Sequence, residues 1–199
     1  MAGMPGMQGM PGIQGMGGMP GGMRGMPGGM RQQPEQPGVM PSGTPVCVYG
    51  LKGAAQHNGK TGQVESYDGQ SERYVVDLGE GEQVRIRFDN LAQMIDVEVT
   101  GMQNRADLNG KGGRIAGYDE EKDRYHIDIQ GVGRASLLLN NLILPANTRG
   151  KVVGLTSESG SKWNDKIGKL LSFDREAGRY LIQMTKDEQL RVKPQNLRL

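Results

Sequence analysis

Cysteine, histidine and aromatic side chains are scarce in this sequence, and long apolar runs are missing. The one cysteine, Cys47, among 199 residues excludes an internal disulfide, has no spaced partner for a Cys/His metal centre, and fits a reducing compartment. The two histidines, His57 and His126, fall at different places in the pattern described below, so no imidazole recurs as a general base. The glycine-rich "GKGG" at 110–113 lacks the Gly-Lys-Ser/Thr of a phosphate-binding loop and sits between strand-like segments. No run of about 18 apolar residues exists to cross a membrane as a helix, and no apolar stretch has the form of a signal peptide. These absences point to an intracellular protein, cytoplasmic or nuclear, that is not an enzyme and takes no cofactor, metal or small-molecule substrate.

Glycine, proline and methionine are abundant instead, at 33, 10 and 13 residues. They concentrate in "MAGMPGMQGMPGIQGMGGMPGGMRGMPGGM", which opens the chain. Residues 1–44 are expected to be a disordered tail, because almost nothing in them can offset the entropy of ordering a backbone. The segment resembles the GGMP-type low-complexity repeats of some heat-shock cochaperones. Soft methionine side chains would let it touch apolar surfaces without one fixed geometry.

From residue 45 onward one skeleton occurs three times, in "HNGKTGQVESYDGQSERY", "LNGKGGRIAGYDEEKDRY" and "WNDKIGKLLSFDREAGRY". Each Asn (Asn58, Asn109, Asn164) precedes a Gly by four residues (Gly62, Gly113, Gly168), which precedes an aromatic by five (Tyr67, Tyr118, Phe173). Arg-Tyr pairs follow at 73–74, 124–125 and 179–180, and Asn-Leu pairs close the units at 90–91, 141–142 and 196–197. The alternating "RYVVDL", "RYHIDI" and "RYLIQM" have the period of two of half-buried strands. The glycines at 62, 113 and 168 are expected where a side chain would obstruct a close approach. The fold class is therefore all-β: three tandem small SH3-like barrels over 45–96, 97–146 and 147–199, after the tail. The skeleton resembles the KOW motif of ribosomal proteins and NusG-type transcription factors, which implies RNA binding, protein binding or simple packing. Units of roughly fifty residues are marginal alone, and Met94, Ile95 and Val97 look like a fifth strand running almost directly into the next unit, so the repeats should stand in a fixed relation.

Two roles follow. The first is a scaffold whose partner is another protein or protein complex. Its candidate contacts are Val75, Leu138, Leu171 and Leu181, expected to face outward, and Trp163, which otherwise covers a barrel end in the place of Leu108. The second is RNA binding through the third repeat. The first unit, 45–98, has five Lys or Arg against nine acids; the second is balanced at six each; the third, 147–199, has eleven against six. Strict alternation places Lys169, Arg179, Arg191 and Lys193 outward on consecutive strands with no acid among them, a candidate polyanion surface. An aromatic cage for a cation is not expected, since each repeat offers at most one partly exposed ring.

Overall fold

The computed structural model describes residues 36–199, so the expectation for 1–35 lies outside the described residues. The rest is all-β, as expected: three antiparallel sheets of five strands each. The first contains β1 (Pro45–Val48), β2 (Thr61–Asp68), β3 (Arg73–Asp77), β4 (Gln83–Ile86) and β5 (Leu91–Gln93) in the order β4-β3-β2-β1-β5. The second contains β6 (Asp96–Val99), β7 (Gly112–Asp119), β8 (Arg124–Ile129), β9 (Gly133–Leu137) and β10 (Leu142–Ile143), and the third β11 (Arg149–Val152), β12 (Ile167–Asp174), β13 (Arg179–Gln183), β14 (Gln189–Val192) and β15 (Leu197–Arg198), both in the same order. The stretch after Leu91 forms two strands instead of one: β5 pairs with β1 of its own sheet, and β6 opens the next sheet against β7 and β10.

The skeleton residues have structural work. The side chain of Asn58 bonds both backbone groups of Leu51, accepting from its N–H at 2.9 Å and donating to its carbonyl at 3.0 Å. Asn109 does the same to Met102 and Asn164 to Leu155. Each Asn thus closes its first loop as a strand partner would. The Asn of each Asn-Leu pair donates to the carbonyl of Tyr49, Thr100 or Val153 on the other side of that loop. The turn residue after the first Asn has positive φ in every repeat, +83° at Gly59, +80° at Gly110 and +64° at Asp165. At Gly168 an added Cβ would lie 2.7 Å from the carbonyl oxygen of Gln183, the close approach expected for this position.

Apolar positions explain the aromatic spacing. Val64, Ile115 and Leu170 are buried, and the next core-facing residue, Tyr67, Tyr118 or Phe173, comes three residues later. An odd interval cannot keep both on one face of a regular strand. Each strand therefore bulges between them, at Glu65, Ala116 and Leu171. Beyond the bulge the aromatic sits directly across from the Tyr of the Arg-Tyr pair, with ring centroids 4.6–4.8 Å apart.

Folded chain begins before residue 45. Met40 is buried, and its N–H donates to the Tyr74 hydroxyl at 3.3 Å. The turn at 41–44 recurs at 145–148: Thr44 and Thr148 donate to Pro41 and Pro145, and Gly43 and Asn147 have φ of +83° and +70°. "MPSGT" and "LPANT" are thus one element, and residues 36–44 belong with the first repeat.

The three sheets are locked together. Buried residues of the second and third form one continuous core. The first has its own core, against which Ile167 of β12 also packs. Between the first and third, the buried Gln93 side chain accepts from the Arg149 N–H at 3.0 Å and donates to the Arg149 carbonyl at 2.6 Å. The Arg149 guanidinium, itself buried, donates to the carbonyls of Val39 and Asn147.

Candidate functional site: a cleft where the three repeats meet

The basic face of the third repeat is less uniform than strict alternation implies. Because β12 bulges at Leu171, Phe173 turns inward and Asp174 comes opposite Arg179, with its Oδ2 3.8 Å from Arg191 Nη1. The expectation of four cations without an acid is thereby corrected: Lys169, Arg179, Arg191 and Lys193 share their face with a carboxylate. Lys169 lies opposite Gln183 on β13, and Lys193 is exposed in the turn after β14.

The apolar candidates are dispersed. Val75 and Leu181 are half-buried and sit cross-strand from Arg85 and Arg191. Leu171 is the half-buried bulge residue. Leu138 is 38% exposed and borders a small cavity of about 140 Å³ between the turns that precede β10 and β15. Trp163 packs on the core shared by the second and third repeats, with the Lys162 ammonium 4.9 Å above its ring. Its counterpart Leu108 is buried in the same core.

A second cleft, of about 380 Å³, draws on all three repeats. Tyr49 and Asp89 come from the first, Tyr118, Glu120, Asp123 and Tyr125 from the second, Arg198 and Leu199 from the third. Tyr49 follows β1, and the Gly50 after it has φ of +66°, which turns the chain away from the strand. The Glu120 carboxylate lies over Gly50: an added Cβ there would be 2.7 Å from Oε2. The Tyr49 and Tyr118 rings meet edge-to-face at 4.8 Å and 61°, a favoured aromatic geometry. Rings that sequence reasoning counted singly for each repeat thus come together across a boundary. No sequence signal singles out Tyr49, which lies outside the repeated skeleton.

The cleft's polar groups are partly engaged. Tyr118 donates its hydroxyl to Asp123 Oδ1 at 2.6 Å, and Arg198 Nη1 is 3.2 Å from both groups. Asp89 is paired with Lys151 of β11. Leu199 donates its N–H to the buried Tyr125 hydroxyl at 3.2 Å. Among the described residues neither the Glu120 carboxylate nor the Tyr49 hydroxyl has a hydrogen-bond or ion-pair partner. Burial, then the Tyr125 and Tyr118 hydroxyls and the Asp89 and Glu120 carboxylates, push the Tyr49 phenol far above its usual range. Burial and Asp123 do the same to Tyr118, and burial pushes Tyr125 up to about 12. The phenols therefore remain neutral in a cleft of negative potential.

Elsewhere the chemistry is quiet. Cys47 is buried, which raises its thiol pKa, and His57 Nδ1 sits 3.3 Å from Glu82 at the first repeat's loop. No protein-family model matches the sequence, and it matches no curated protein.

Proposed function

We propose that the three repeats form a non-catalytic module that binds another protein, acting as a scaffold. The junction cleft carries this reading, because its walls are assembled from three repeats and combine rings with unsatisfied polar groups, the composition of a recognition surface. A tripled skeleton then has a purpose beyond stability: no single repeat owns the site. The strand order, with β1 between β2 and β5, supports the SH3-like reading of each unit, and the KOW likeness stays with it as the closer affiliation we favour. The buried thiol fits work in the reducing cytoplasm or nucleus.

A photo-crosslinking phenylalanine analogue at exposed Glu121, beside the cleft, tests this, with the same group at Leu181 as control. The expected result is a discrete crosslinked protein from the Glu121 position alone, unchanged by nuclease. Crosslinks that vanish with nuclease, or that form equally from Leu181, would overturn the reading. The second reading, RNA binding by the third repeat, is favoured by exposed Arg191 and Lys193 next to one another on and after β14. Asp174 opposes it by offsetting one of those charges.

A further inference from the structure

We propose that the cationic group recognised by the junction cleft is an arginine side chain of a basic segment in the partner protein. This rests on the reading of the cleft as a protein-binding site. The rings come first. Tyr49 and Tyr118 meet edge-to-face and line the cleft together with Glu120, and aromatic rings with adjoining negative charge attract a flat, weakly hydrated guanidinium.

Charge selects the same occupant. Three carboxylates, Asp89, Glu120 and Asp123, line the cleft against one guanidinium, that of Arg198. Arg198 is held by Asp123 and the Tyr118 hydroxyl, and Asp89 by Lys151. Glu120 has no ion-pair partner among the described residues. One incoming guanidinium supplies its complement, and a phosphate or carboxylate meets repulsion.

Size narrows the choice further. A cleft of about 380 Å³ is at the small end for ligand sites, on the order of 300–1,000 Å³, and suits one or two side chains better than a folded surface. A planar guanidinium can lie on a tyrosine ring, give two parallel N–H groups to Glu120, and direct a third to the unpartnered Tyr49 oxygen. A lysine ammonium, compact and strongly hydrated, makes only the point-charge contact. The neutral state of Tyr49 across the physiological range keeps that oxygen available as a neutral acceptor.

The test is a nuclear magnetic resonance titration of the full chain with N-acetyl-arginine-amide, and with its citrulline counterpart, which has a closely similar shape and no charge. The arginine probe should bind in the millimolar range and shift the amides of Gly50, Tyr118 and Glu120; citrulline should shift none. Glu120→Gln, a change at an exposed side chain, should weaken binding about fivefold to tenfold. Tyr49→Phe keeps the ring and should lose less. Equal binding of citrulline, shifts spread over other carboxylates, or unchanged affinity in Glu120→Gln would each overturn the proposal. Tightening of tenfold or more in an Arg24→Gln/Arg31→Gln variant would also overturn it, by showing that the chain's own N-terminal segment occupies the cleft. If the arginine probe fails while the Glu121 crosslink persists, the charge chemistry is wrong and the protein-binding role stands; if both fail, the role itself falls.

Discussion

Replacing Gln93 with alanine should loosen the whole molecule rather than one repeat. Its side chain is 2% exposed and makes two hydrogen bonds to the backbone of Arg149 on β11, beyond the last pair that β11 forms with β15. Removing it strands a buried N–H and a buried C=O, each costing about 1–3 kcal/mol. The expected loss is therefore about 2–6 kcal/mol, against a total stability of about 5–15 kcal/mol for a domain of this kind. Gln93→Leu supplies the control for volume. Leucine occupies the aligned positions 144 and 199, so a leucine at 93 keeps the packing and loses only the two bonds; it should cost nearly as much. Urea unfolding followed by far-ultraviolet circular dichroism measures both. One transition with a lowered midpoint and an unchanged slope is expected, because the second and third repeats share one core and the first is bonded to the third at the junction. A loss below about 1 kcal/mol in both variants would refute the argument by showing that the Gln93–Arg149 pair contributes nothing net.

Raising the pH should unfold the protein through its buried tyrosines. Tyr74, Tyr125 and Tyr180 have phenols pushed up to about 12 by burial, so the folded state holds protons that the unfolded chain releases near 10. That stability is fully present below pH 10 and is lost between pH 10 and 12, on the order of 2 kcal/mol for each ring; tyrosinate absorbance and circular dichroism should change together, and tyrosine ionisation without unfolding would contradict it. Gly168→Ala places a Cβ 2.7 Å from the Gln183 carbonyl oxygen and 2.8 Å from Ile182 Cγ1, and should cost about 1–3 kcal/mol in thermal unfolding; a midpoint equal to the parent's would show that the strands part freely. If the third repeat binds single-stranded RNA, Arg191→Gln with Lys193→Gln should flatten the dependence of log K on log salt by roughly 1.4, at ~0.7 for each lost phosphate contact; an unchanged slope would remove these two residues from any such interface.

The repeat and its strands were legible because they rest on local patterns. Alternation in "RYVVDL" reports a half-buried strand wherever that strand goes, and the positive φ at Asn-Gly follows from the residue types. The bulges are legible too: the interval of three from Val64 to Tyr67, repeated in all three units, cannot be met by a regular strand. Strict alternation ignores them, which puts Asp174 on the wrong side and makes the third face look purely basic. The cleft could not be read. Tyr49 and Tyr118 are 69 positions apart in the sequence, in different repeats and at non-equivalent positions, and only the packing of one sheet on another unites them. Residues 36–44 escaped for a different reason, since a stretch with Gly, Pro and Met beside a low-complexity segment has the composition of that segment, while the kinship of 41–44 with 145–148 lies in turn geometry.

Two side-chain to backbone contacts between repeats make the three similar units a closed block instead of a string. Met40 and Leu144, each just upstream of its repeat, donate an N–H to the Tyr hydroxyls of the first and third repeats, Tyr74 and Tyr180. The backbone N–H that meets the Tyr125 hydroxyl of the second repeat comes from Leu199 of the third repeat. At 93, aligned with 144 and 199, stands glutamine, whose side-chain amide goes to the backbone of Arg149 in the third repeat. The first repeat is thus tied to the third through Gln93, and the third to the second through Leu199. The second tie carries Arg198 alongside Tyr118 and Asp123, and so supplies the third wall of the cleft. If the three repeats open only together, the amide of Leu199 should exchange its hydrogen as slowly as that of Leu144. Much faster exchange at Leu199 alone would show that the third repeat parts from the second without unfolding.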